Sequence, residues 1–495
     1  METRRLAVVS NRLPVVLTRE NGDWSISPGS GGLVTALGPV LRDRGGLWIG
    51  WMGNTVEELH HSPLPAGLLN KGAAETGYSL KPVSLTDGDV KKFYYGFSNE
   101  ILWPLFHDLP TRCNFDPVYW KTYREVNGKY AQAVVEHTDE EDYVWIHDYQ
   151  LIMVARALKQ LGVSRHTGFF LHIPFPPLDV FLKLPWRFEI LDGLMEYDLV
   201  GFQTARDRRN FLGCVKALKP GTRITGRGSV SRLVTPDREL LVGAFPISID
   251  FMEFSHMASS AAVNWQAQMI RHKLPNRQLI LGVDRLDYTK GIPNKLLALR
   301  NALERYPELR RRITLIQVVV PSRKTIKEYA LLKQEIERLV GEINGEYTEV
   351  GWTPITYLFR SLDRSQLAAY YRACDMALVT PLKDGMNLVA KEYCASSTAE
   401  DGVLILSEFA GAAVQLHHGA LMVNPYDVEG VANAIYEGYR MDLRERKFRM
   451  KALRRSIRKH DIFDWVNSFL RAGIAKDLRS FPHLEFFVPA PQEAS

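Results

Sequence analysis

Short apolar runs alternate with helical patterns along almost the whole chain, and this alternation limits the fold more than any other feature. Runs that alternate with helices in this way are typical of a parallel, doubly wound sheet. In the first half of the chain the runs are Leu6–Ser10, Tyr143–His147, Gly168–Ile173, Leu199–Phe202 and Leu240–Pro246. In the second half they are Gln278–Val283, Arg312–Val319, Met376–Thr380 and Val403–Leu406. The sequence therefore predicts an α/β protein.

The length of the chain predicts two such domains, because 495 residues are too many for one ordinary hydrophobic core. The link between them is predicted near Ser248–Phe254, before a polar helix that contains Gln266–Lys273. We therefore predict an N-terminal Rossmann-like domain over residues 1–250 and a C-terminal one over residues 251–463. A final helix over residues 464–480 is expected to pack back on the first domain. The two domains are expected to face each other across a cleft, with the switch point of each sheet on it.

Composition argues against several classes of protein. No run approaches the ~18 apolar residues of a membrane span, and the run after Arg5 is too short for a signal-peptide core. The four cysteines form no CxxC pair and no disulfide-like spacing, which suits a reducing compartment and gives no metal site. They are Cys113, Cys214, Cys374 and Cys394. A cytoplasmic protein is expected.

The net charge of +6 is concentrated near the C-terminus, between Arg444 and Lys459. Leu443, Met450, Leu453 and Ile457 lie at near-helical spacing there, which is typical of an amphipathic helix with a solvated basic face. No aromatic interleaving and no known nucleic-acid motif accompany these charges. Neither nucleic acid nor a membrane is therefore expected as a partner.

The segment Pro381–Glu392 gives the strongest indication of a binding site. It follows an apolar strand, turns at Asp384 and enters a helix predicted to begin near Met386. The N–H groups and the dipole at a helix start bind anions such as a diphosphate. Glu392, predicted about two turns along this helix, suits a ribose diol, and Asp384 suits the hydroxyls of a sugar. A plain turn followed by a surface carboxylate is the alternative interpretation.

The segment Val283–Gly291 directly follows another buried strand, where α/β sheets place their ligands. Arg285 and Lys290 are both suited to a diphosphate, the first as a bidentate fork and the second as a point charge. A solvated loop with an Asp–Arg pair is the alternative, and two cations at one strand end argue against it.

Three strands in the first half also end in polar residues. Arg12, Asp148 and His172 stand at these ends, and their coincidence favours a ligand site over a set of packed side chains. A glycine-rich stretch, Gly29–Gly32, precedes a helix predicted near Val34, although a plain turn explains it nearly as well. Aromatic rings at Trp51, Tyr94 and Trp103 suit packing on sugar rings, with core packing as the alternative.

Together these segments closely resemble the trehalose-6-phosphate synthase family of retaining GT-B glycosyltransferases. The resemblance extends from the first strand to beyond Glu392. The matching stretches are Ser10–Arg12, Gly31–Leu33, Gly46–Trp51, Phe97–His107, Trp145–Tyr149, Phe169–Pro176, Val283–Gly291, Pro321–Arg323 and Asp384–Glu392. The chain departs from the family at Ser248, where glycine is usual, and in the longer segment Leu13–Pro28. Neither departure touches the predicted chemistry.

The resemblance implies a glucosyltransferase that joins glucose from a nucleotide-glucose, UDP-glucose first, to glucose 6-phosphate, giving trehalose 6-phosphate. The acceptor-binding residues it implies are Arg12, Trp51, Tyr94, Trp103, Asp148 and Arg323, with Trp48 as the alternative to Trp51. The donor-binding residues it implies are Gly31, Gly32, His172, Arg285, Lys290, Asp384, Met386, Asn387, Leu388, Val389 and Glu392. Of these two sets, the resemblance implies catalytic roles for Asp148, His172, Arg285, Lys290 and Asp384.

No metal and no cofactor are expected, because Arg285, Lys290 and a helix N-terminus would neutralise the leaving phosphate. The expected partners are the small-molecule substrates. Three other functions remain open: transfer to another phosphorylated acceptor such as glycerol 3-phosphate, coupling of cyclitols, and non-catalytic sensing of a sugar phosphate. The donor base (UDP, ADP or GDP) and the oligomeric state, a homo-oligomer included, also remain open.

Overall fold

The computed structural model describes residues 5–20, 23–29, 32–65, 67–226, 228–322 and 327–475. The chain divides into two units. The first comprises Met1–Pro246 and Trp465–Leu484, and the second comprises Ile247–Asp464 and Glu485–Ser495. Both described parts are α/β structures built on a largely parallel sheet, so the predicted fold class is confirmed.

The first unit is built on a nine-stranded sheet with the order β5-β4-β1-β6-β7-β8-β11-β10-β9. Its strands are β1 (Leu6–Arg12), β4 (Leu47–Trp51), β5 (Ser79–Val83), β6 (Tyr143–His147), β7 (His166–Phe170), β8 (Leu199–Phe202), β9 (Arg223–Thr225), β10 (Val230–Val234) and β11 (Glu239–Ala244). The strands run parallel except β10, which pairs antiparallel with both β11 and β9 at one edge. The segment noted for its length forms a separate hairpin of β2 (Val15–Glu20) and β3 (Asp23–Pro28). The strand order reverses between β1 and β6, where doubly wound sheets open a crevice.

Helices cover the sheet of the first unit. They are α1 (Gly32–Arg44), α2 (Val56–His61), α3 (Leu68–Thr76), α4 (Asp87–Asp89), α5 (Trp103–Phe106), α6 (Pro117–His137), α7 (Val154–Gln160), α8 (Leu178–Phe181), α9 (Arg187–Met195) and α10 (Ala205–Leu218). A π-helix runs over Val90–Leu102, and 3₁₀ turns over Pro110–Arg112 and Tyr149–Leu151. The helical pattern over Tyr149–Leu161 predicts a single helix, and this prediction is wrong, because the structure has a 3₁₀ turn followed by α7. A 3₁₀ turn comes first, because Asp148 enters it with a positive φ of 75° that a helix does not continue.

The second unit has a parallel sheet with the order β14-β13-β12-β15-β16-β17. Its strands are β12 (Gln278–Arg285), β13 (Ile313–Val320), β14 (Ile355–Phe359), β15 (Met376–Val379), β16 (Val403–Ser407) and β17 (Leu421–Val423). Its helices are α11 (Phe251–Ser259), α12 (Ala261–Lys273), α13 (Ile292–Arg305), α14 (Lys327–Tyr347), α15 (Arg364–Ala373), α16 (Leu388–Ser396), α17 (Ala413–Leu416), α18 (Val428–Arg440) and α19 (Leu443–Lys459). 3₁₀ turns lie over Tyr288–Lys290 and Pro307–Leu309. The strand order reverses between β12 and β15, so the crevice of this sheet lies at their carboxyl ends.

The last described helix, α20, runs over Ile462–Leu470 and is followed by a π-turn over Arg471–Ala475. The Phe469 ring stacks on Trp145 of β6 at 4.2 Å between centroids. The end of the predicted helix, from residue 476, lies outside the described residues. None of the described helices is long and apolar enough to cross a membrane.

The basic helix α19 differs from the expectation at two residues. Leu443, predicted in its apolar stripe, is 57% exposed, whereas Arg446, predicted on its solvated face, is buried. The Arg446 guanidinium donates hydrogen bonds to Gln278 Oε1 and to the carbonyls of Met441 and Gly438. These acceptors compensate the burial of the charge, which a pattern of apolar residues does not reveal.

A buried ion pair stabilises the end of β12. Lys295 Nζ lies 2.6 Å from Asp284 Oδ2, and the two side chains are 0% and 2% exposed. Gln317 Nε2 donates a second hydrogen bond to the same carboxylate oxygen, at 3.0 Å. Asp284 directly precedes Arg285, so this cluster fixes the backbone from which a predicted site residue projects.

Replacing Lys295 by methionine is expected to lower the free energy of unfolding by about 3–5 kcal/mol, because Asp284 would remain buried without a cationic partner. The matched control is Arg338→Met, which removes the exposed ion pair with Glu342 and is expected to change stability by less than about 1 kcal/mol. Urea unfolding followed by circular dichroism measures both. Equal effects of the two substitutions would show that the buried pair is not needed at this position.

Candidate active site

A β-bulge brings Arg12 to the carboxyl end of β1. The register between β1 and β4 shifts between Val9 and Arg12, so that Arg12 lies opposite Trp51. Ser10 Oγ donates to the Arg12 carbonyl at 2.7 Å and accepts from Trp48 Nε1 at 2.8 Å. Bulges commonly re-aim a side chain next to a site. Here the bulge turns the chain so that Arg12 reaches the crevice.

Two glycines leave room for Arg12. A Cβ atom on Gly50 would lie 2.7 Å from the carbonyl carbon of Arg12, and one on Gly53 would lie 2.9 Å from Arg12 Nη1. Gly53 also has a φ of 102°, which side chains rarely adopt. The guanidinium of Arg12 stacks on Trp51, 4.6 Å from the ring centroid. Trp51 is 2% exposed, so it supports the cation from behind.

Asp148 and His172 meet at the ends of β6 and β7. The Asp148 backbone N–H donates to the Phe170 carbonyl at 2.8 Å, and Asp148 Oδ1 accepts from the His172 backbone N–H at 3.1 Å. Asp148 has a positive φ of 75°, a conformation that costs a residue with a side chain on the order of 1–3 kcal/mol. The backbone bonds on both sides hold it there.

His172 contacts a second histidine. His147 Nδ1 lies 3.1 Å from His172 Nε2. Burial lowers the pKa of His172 to about 3, and burial together with the neighbouring His172 lowers the pKa of His147 well below its usual value. Both imidazoles are therefore neutral near pH 7, so the contact between them is a hydrogen bond between two uncharged rings.

A cavity of about 480 Å³ joins these residues within the first unit. Its lining includes Arg12, Asp148 and His172, and also Trp48, Gly29 and Leu33 at the start of α1. Of the two candidate tryptophans, Trp48 lines the cavity and Trp51 lies under Arg12. Gly32 is the first residue of α1, so the helix begins two residues, about half a turn, before the start predicted near Val34.

The predicted aromatic residues lie on and next to the π-helix. The ring centroids of Tyr94 and Trp51 are 6.3 Å apart, and those of Trp103 and Tyr149 are 5.7 Å apart. Asn99 connects the two pairs, because it accepts from the Tyr149 hydroxyl at 2.9 Å and donates to the Tyr94 carbonyl at 2.6 Å. Long π-helices are rare and occur mainly at functional sites.

In the second unit, predicted residues from the two strands at the switch point meet. Lys290 Nζ lies 2.6 Å from Asp384 Oδ2, which also accepts from Asn387 Nδ2 at 3.2 Å. The Leu382 backbone N–H donates to the Thr289 carbonyl at 2.8 Å and ties the two loops together. Arg285 is the exposed last residue of β12. The cationic Lys290 and the anionic Asp384 therefore adjoin at the carboxyl ends of β12 and β15.

Helix α16 begins at Leu388 and not at Met386, because Asn387 is its N-cap. Asn387 has a φ of 84°, and its Oδ1 accepts from the Ala390 backbone N–H at 3.1 Å. The N–H groups of Leu388 and Val389 belong to the first turn, where intrahelical acceptors are lacking and anions bind. Met386 is buried before the helix, and its carbonyl accepts from Ala412 at 2.7 Å.

Because α16 starts later than predicted, Glu392 lies about one turn along it, closer to the helix start than expected. Its Oε2 accepts a hydrogen bond of 2.7 Å from the Tyr371 hydroxyl. Burial raises the pKa of Glu392, while the Tyr371 hydrogen bond and the charge of Arg364 lower it in part. Glu392 is thus a partly buried acceptor near an anion-binding helix end.

Two predicted residues, Gly31 and Arg323, lie outside the described residues. Sequence reasoning missed His147, the partner of His172, and Tyr371, the partner of Glu392. A polar residue that ends an otherwise apolar strand is a signal that identifies His147, whereas nothing in the sequence pairs Tyr371 with Glu392. In the part of the chain that the structure describes, no group of three or more His, Cys, Asp or Glu side chains is arranged to hold a metal ion.

Comparison with known proteins identifies a family. The model of glycosyltransferase family 20 matches residues 4–473. A trehalose-6-phosphate synthase of Mycolicibacterium smegmatis is 45% identical over 480 residues, which cover 95% of this chain and 92% of the relative. The UDP-forming α,α-trehalose-phosphate synthase A of Dictyostelium discoideum is 42% identical over 94% of this chain and 62% of its own length.

Solved structures are also similar. A UDP-forming α,α-trehalose-phosphate synthase from Burkholderia xenovorans, in complex with glucose-6-phosphate, has a TM-score of 0.85 at 34% identity and covers 95% of this chain and 100% of its own. A structure from E. coli bound with UDP-2-fluoro glucose has a TM-score of 0.85 at 37% identity, covering 95% and 98%. The resemblance seen in the sequence and the GT-B fold class are thereby confirmed.

Acid is expected to destabilise the first unit through His147 and His172, because their surroundings lower the pKa of both. The unfolded chain binds protons below about pH 6.5 that the native imidazoles do not bind, so the free energy of unfolding falls as the pH falls. The loss reaches about 1.4 kcal/mol per pH unit for each histidine and continues toward the folded pKa. Urea unfolding of the wild type and of His172→Asn at pH 7 and pH 5 measures it, and the variant should lose less.

Cys214→Ala serves as the control for this pH experiment. The substitution removes a buried thiol whose pKa burial raises to about 12, so it should lower stability equally at both pH values. A wild type whose unfolding free energy is the same at pH 5 and pH 7 would contradict the neutral state of the pair.

Proposed function

The chain belongs to glycosyltransferase family 20, and from this membership and the geometry of its sites we propose that it transfers glucose from UDP-glucose to glucose 6-phosphate. The products are trehalose 6-phosphate and UDP. The observation that carries the proposal is the cluster at the switch point of the second unit, where Lys290, Asp384 and the start of α16 adjoin. Such a cluster suits a sugar diphosphate, which carries hydroxyls at one end and two phosphates at the other.

The diphosphate and the ribose of the donor bind to residues of the second unit. The diphosphate is bound by Arg285, Lys290 and the N–H groups of Leu388 and Val389. The ribose hydroxyls are bound by Glu392. Asp384, which accepts hydrogen bonds from Lys290 and Asn387, binds hydroxyls of the glucosyl unit. These cations and amides neutralise the charge that develops on the leaving phosphate, so the proposed reaction needs no metal ion and no further cofactor.

Apart from Arg323, the acceptor binds to residues of the first unit. Arg12 holds the phosphate of glucose 6-phosphate, since a guanidinium stacked on Trp51 is a preorganised fork for phosphate oxygens. Tyr94, Trp103 and Asp148 surround the sugar. Gly31, Gly32 and His172 contact the donor sugar, and Arg323 is a second ligand of the acceptor phosphate.

The transfer retains the anomeric configuration. The bond from the anomeric carbon of the donor to the phosphate oxygen of UDP breaks, and a bond to the C1 hydroxyl oxygen of glucose 6-phosphate forms on the same face. The proton of that hydroxyl passes to the departing phosphate oxygen. Burial lowers the pKa of His172 to about 3, so the imidazole orients a hydroxyl and does not donate a proton at neutral pH. We place the reaction in the cytoplasm, because the four cysteines are free thiols.

The first test is the reaction itself. Purified protein mixed with UDP-glucose and glucose 6-phosphate should release UDP and form a phosphorylated disaccharide at the same rate with and without EDTA. ADP-glucose and GDP-glucose test the donor base, and glycerol 3-phosphate tests the acceptor. Binding of both substrates without UDP release would indicate a sugar-phosphate sensor, and faster transfer to glycerol 3-phosphate would indicate a different acceptor.

Replacing Arg285 by alanine is expected to lower kcat on the order of 10²–10³-fold, because one preorganised group that stabilises the leaving diphosphate is lost. The control is Arg277→Ala. Arg277 is a half-buried arginine in the loop before the same strand, and its guanidinium donates to the Gly351 carbonyl. This control should keep wild-type turnover. Initial rates at saturating substrate measure both variants. Wild-type turnover of Arg285→Ala would remove Arg285 from the proposed site.

A further inference from the structure

The buried residue His147 has no role in the proposed reaction, yet it directly contacts a residue that does. Its Nδ1 lies 3.1 Å from Nε2 of His172, and its side chain is 0% exposed. The Trp145 ring lies 4.7 Å and the Trp465 ring 6.4 Å from the His147 ring, centroid to centroid. His147 is therefore held in place by aromatic packing while it bonds to the imidazole beside the cavity.

The direction of the bond between the two histidines decides which nitrogen of His172 carries its proton. Because burial lowers both pKa values, the pair shares one hydrogen in this bond and neither ring is charged. Either His147 Nδ1–H donates to His172 Nε2, or His172 Nε2–H donates to His147 Nδ1. In the first case His172 carries its own proton on Nδ1, and in the second case it leaves Nδ1 bare.

The surroundings of His147 favour the first direction. Among the described residues, His147 Nε2 is buried without a hydrogen-bond partner, and so are the indole N–H groups of Trp145 and Trp465. An unpaired buried donor or acceptor costs about 1–3 kcal/mol, so His147 Nε2 carries this cost in either direction. The second direction in addition places a third N–H donor beside the two indole donors, whose partial positive charges repel it. The first direction leaves His147 Nε2 unprotonated, and the partial negative charge of its lone pair attracts the two nearby indole N–H groups.

We propose that His147 is a positioning residue whose Nδ1–H donates to His172 Nε2 and so fixes His172 as the tautomer that carries its proton on Nδ1. His172 is then held at two points, because Asp148 Oδ1 accepts its backbone N–H. The consequence for catalysis rests on the proposed function, in which His172 contacts the donor sugar. A ring fixed in this way presents its Nδ1–H to the sugar in one orientation. The outer hydrogen-bond partner of a metal-binding histidine fixes the tautomer and the orientation of that ring in the same way.

Two substitutions at His147 separate donation from simple packing. The side-chain amide nitrogen of His147→Asn takes about the place of Nδ1 and can donate to His172, whereas His147→Leu fills similar space and cannot donate. We expect His147→Leu to lower kcat by about 10–100-fold, the loss seen when the second partner of a functional histidine is removed. His147→Asn should recover most of this loss. The affinity for UDP, which lacks the glucosyl unit, should be unchanged in both.

A spectroscopic measurement tests the tautomer without any activity. In protein labelled with ¹⁵N-histidine, the ¹⁵N shifts distinguish a protonated from a bare ring nitrogen, and the His172 signals are assigned by their absence in His172→Asn. The wild type and His147→Asn should show a protonated Nδ1 and a bare Nε2. His147→Leu should show a mixture of both tautomers. Cys214→Ala, a buried substitution away from the pair, should leave the shifts and kcat unchanged.

The inference is overturned if His172 carries its proton on Nε2 in the wild type, or if His147→Leu turns over as fast as the wild type. It is also overturned if His147→Asn is as slow as His147→Leu, since packing alone would then explain the loss. Failure of the proposed function gives a different result: the wild type would show the Nδ1 tautomer but would form no phosphorylated disaccharide.

Discussion

Both units depend on the same constraint, the reversal of strand order in a parallel sheet. In the first unit β4 and β5 are added on one side of β1, and β6 and its successors are added on the other side. In the second unit β12 and β15 are related in the same way. Loops at such a pair of strands diverge, so the carboxyl ends stay open to a ligand while helices cover the rest of the sheet. Arg12 and Asp148 lie at one reversal, and Arg285 and the loop of Asp384 lie at the other. The sites follow from topology before any side chain is considered.

The residues at these strand ends are held in conformations that ordinary loops avoid. Asp148 and Asn387 both have positive φ values, and Arg12 follows a bulge. Such conformations persist only where surrounding bonds fix them. For Asp148 the bonds are to the Phe170 carbonyl and the His172 N–H, and for Asn387 they are to Asp384 and Ala390. The hydrogen bonds that hold the strained backbone also orient the functional side chains.

Sequence alone predicts nine strands of the two main sheets and the polar residues at several of their ends, because these strands are apolar runs. It does not predict β4, β5, β14 or β17, nor the edge formed by β9 and β10. It places Arg12, Asp148, His172 and Arg285 at strand ends, where the structure has them. It does not predict the start of α16, because Asn387 acts as N-cap with a positive φ that no pattern encodes. It does not predict the burial of Arg446 either, because the acceptors of its guanidinium, among them Gln278, come from distant parts of the chain. Contacts between residues that lie far apart along the chain are not predicted by the local sequence pattern.

The two units use polar groups in opposite ways, and the difference follows from whether the groups carry a charge. His147 and His172 are packed among aromatic rings, where a charge would be costly, and burial lowers the pKa of both. They therefore act as neutral hydrogen-bonding groups whose direction matters. Lys290 and Asp384 keep 11% and 15% of their side chains exposed and form an ion pair. A charged ligand can exchange with such a pair, because its own charge replaces that of the partner it displaces. Directional recognition of a sugar thus suits the neutral histidine pair, and neutralisation of a diphosphate suits the ion pair.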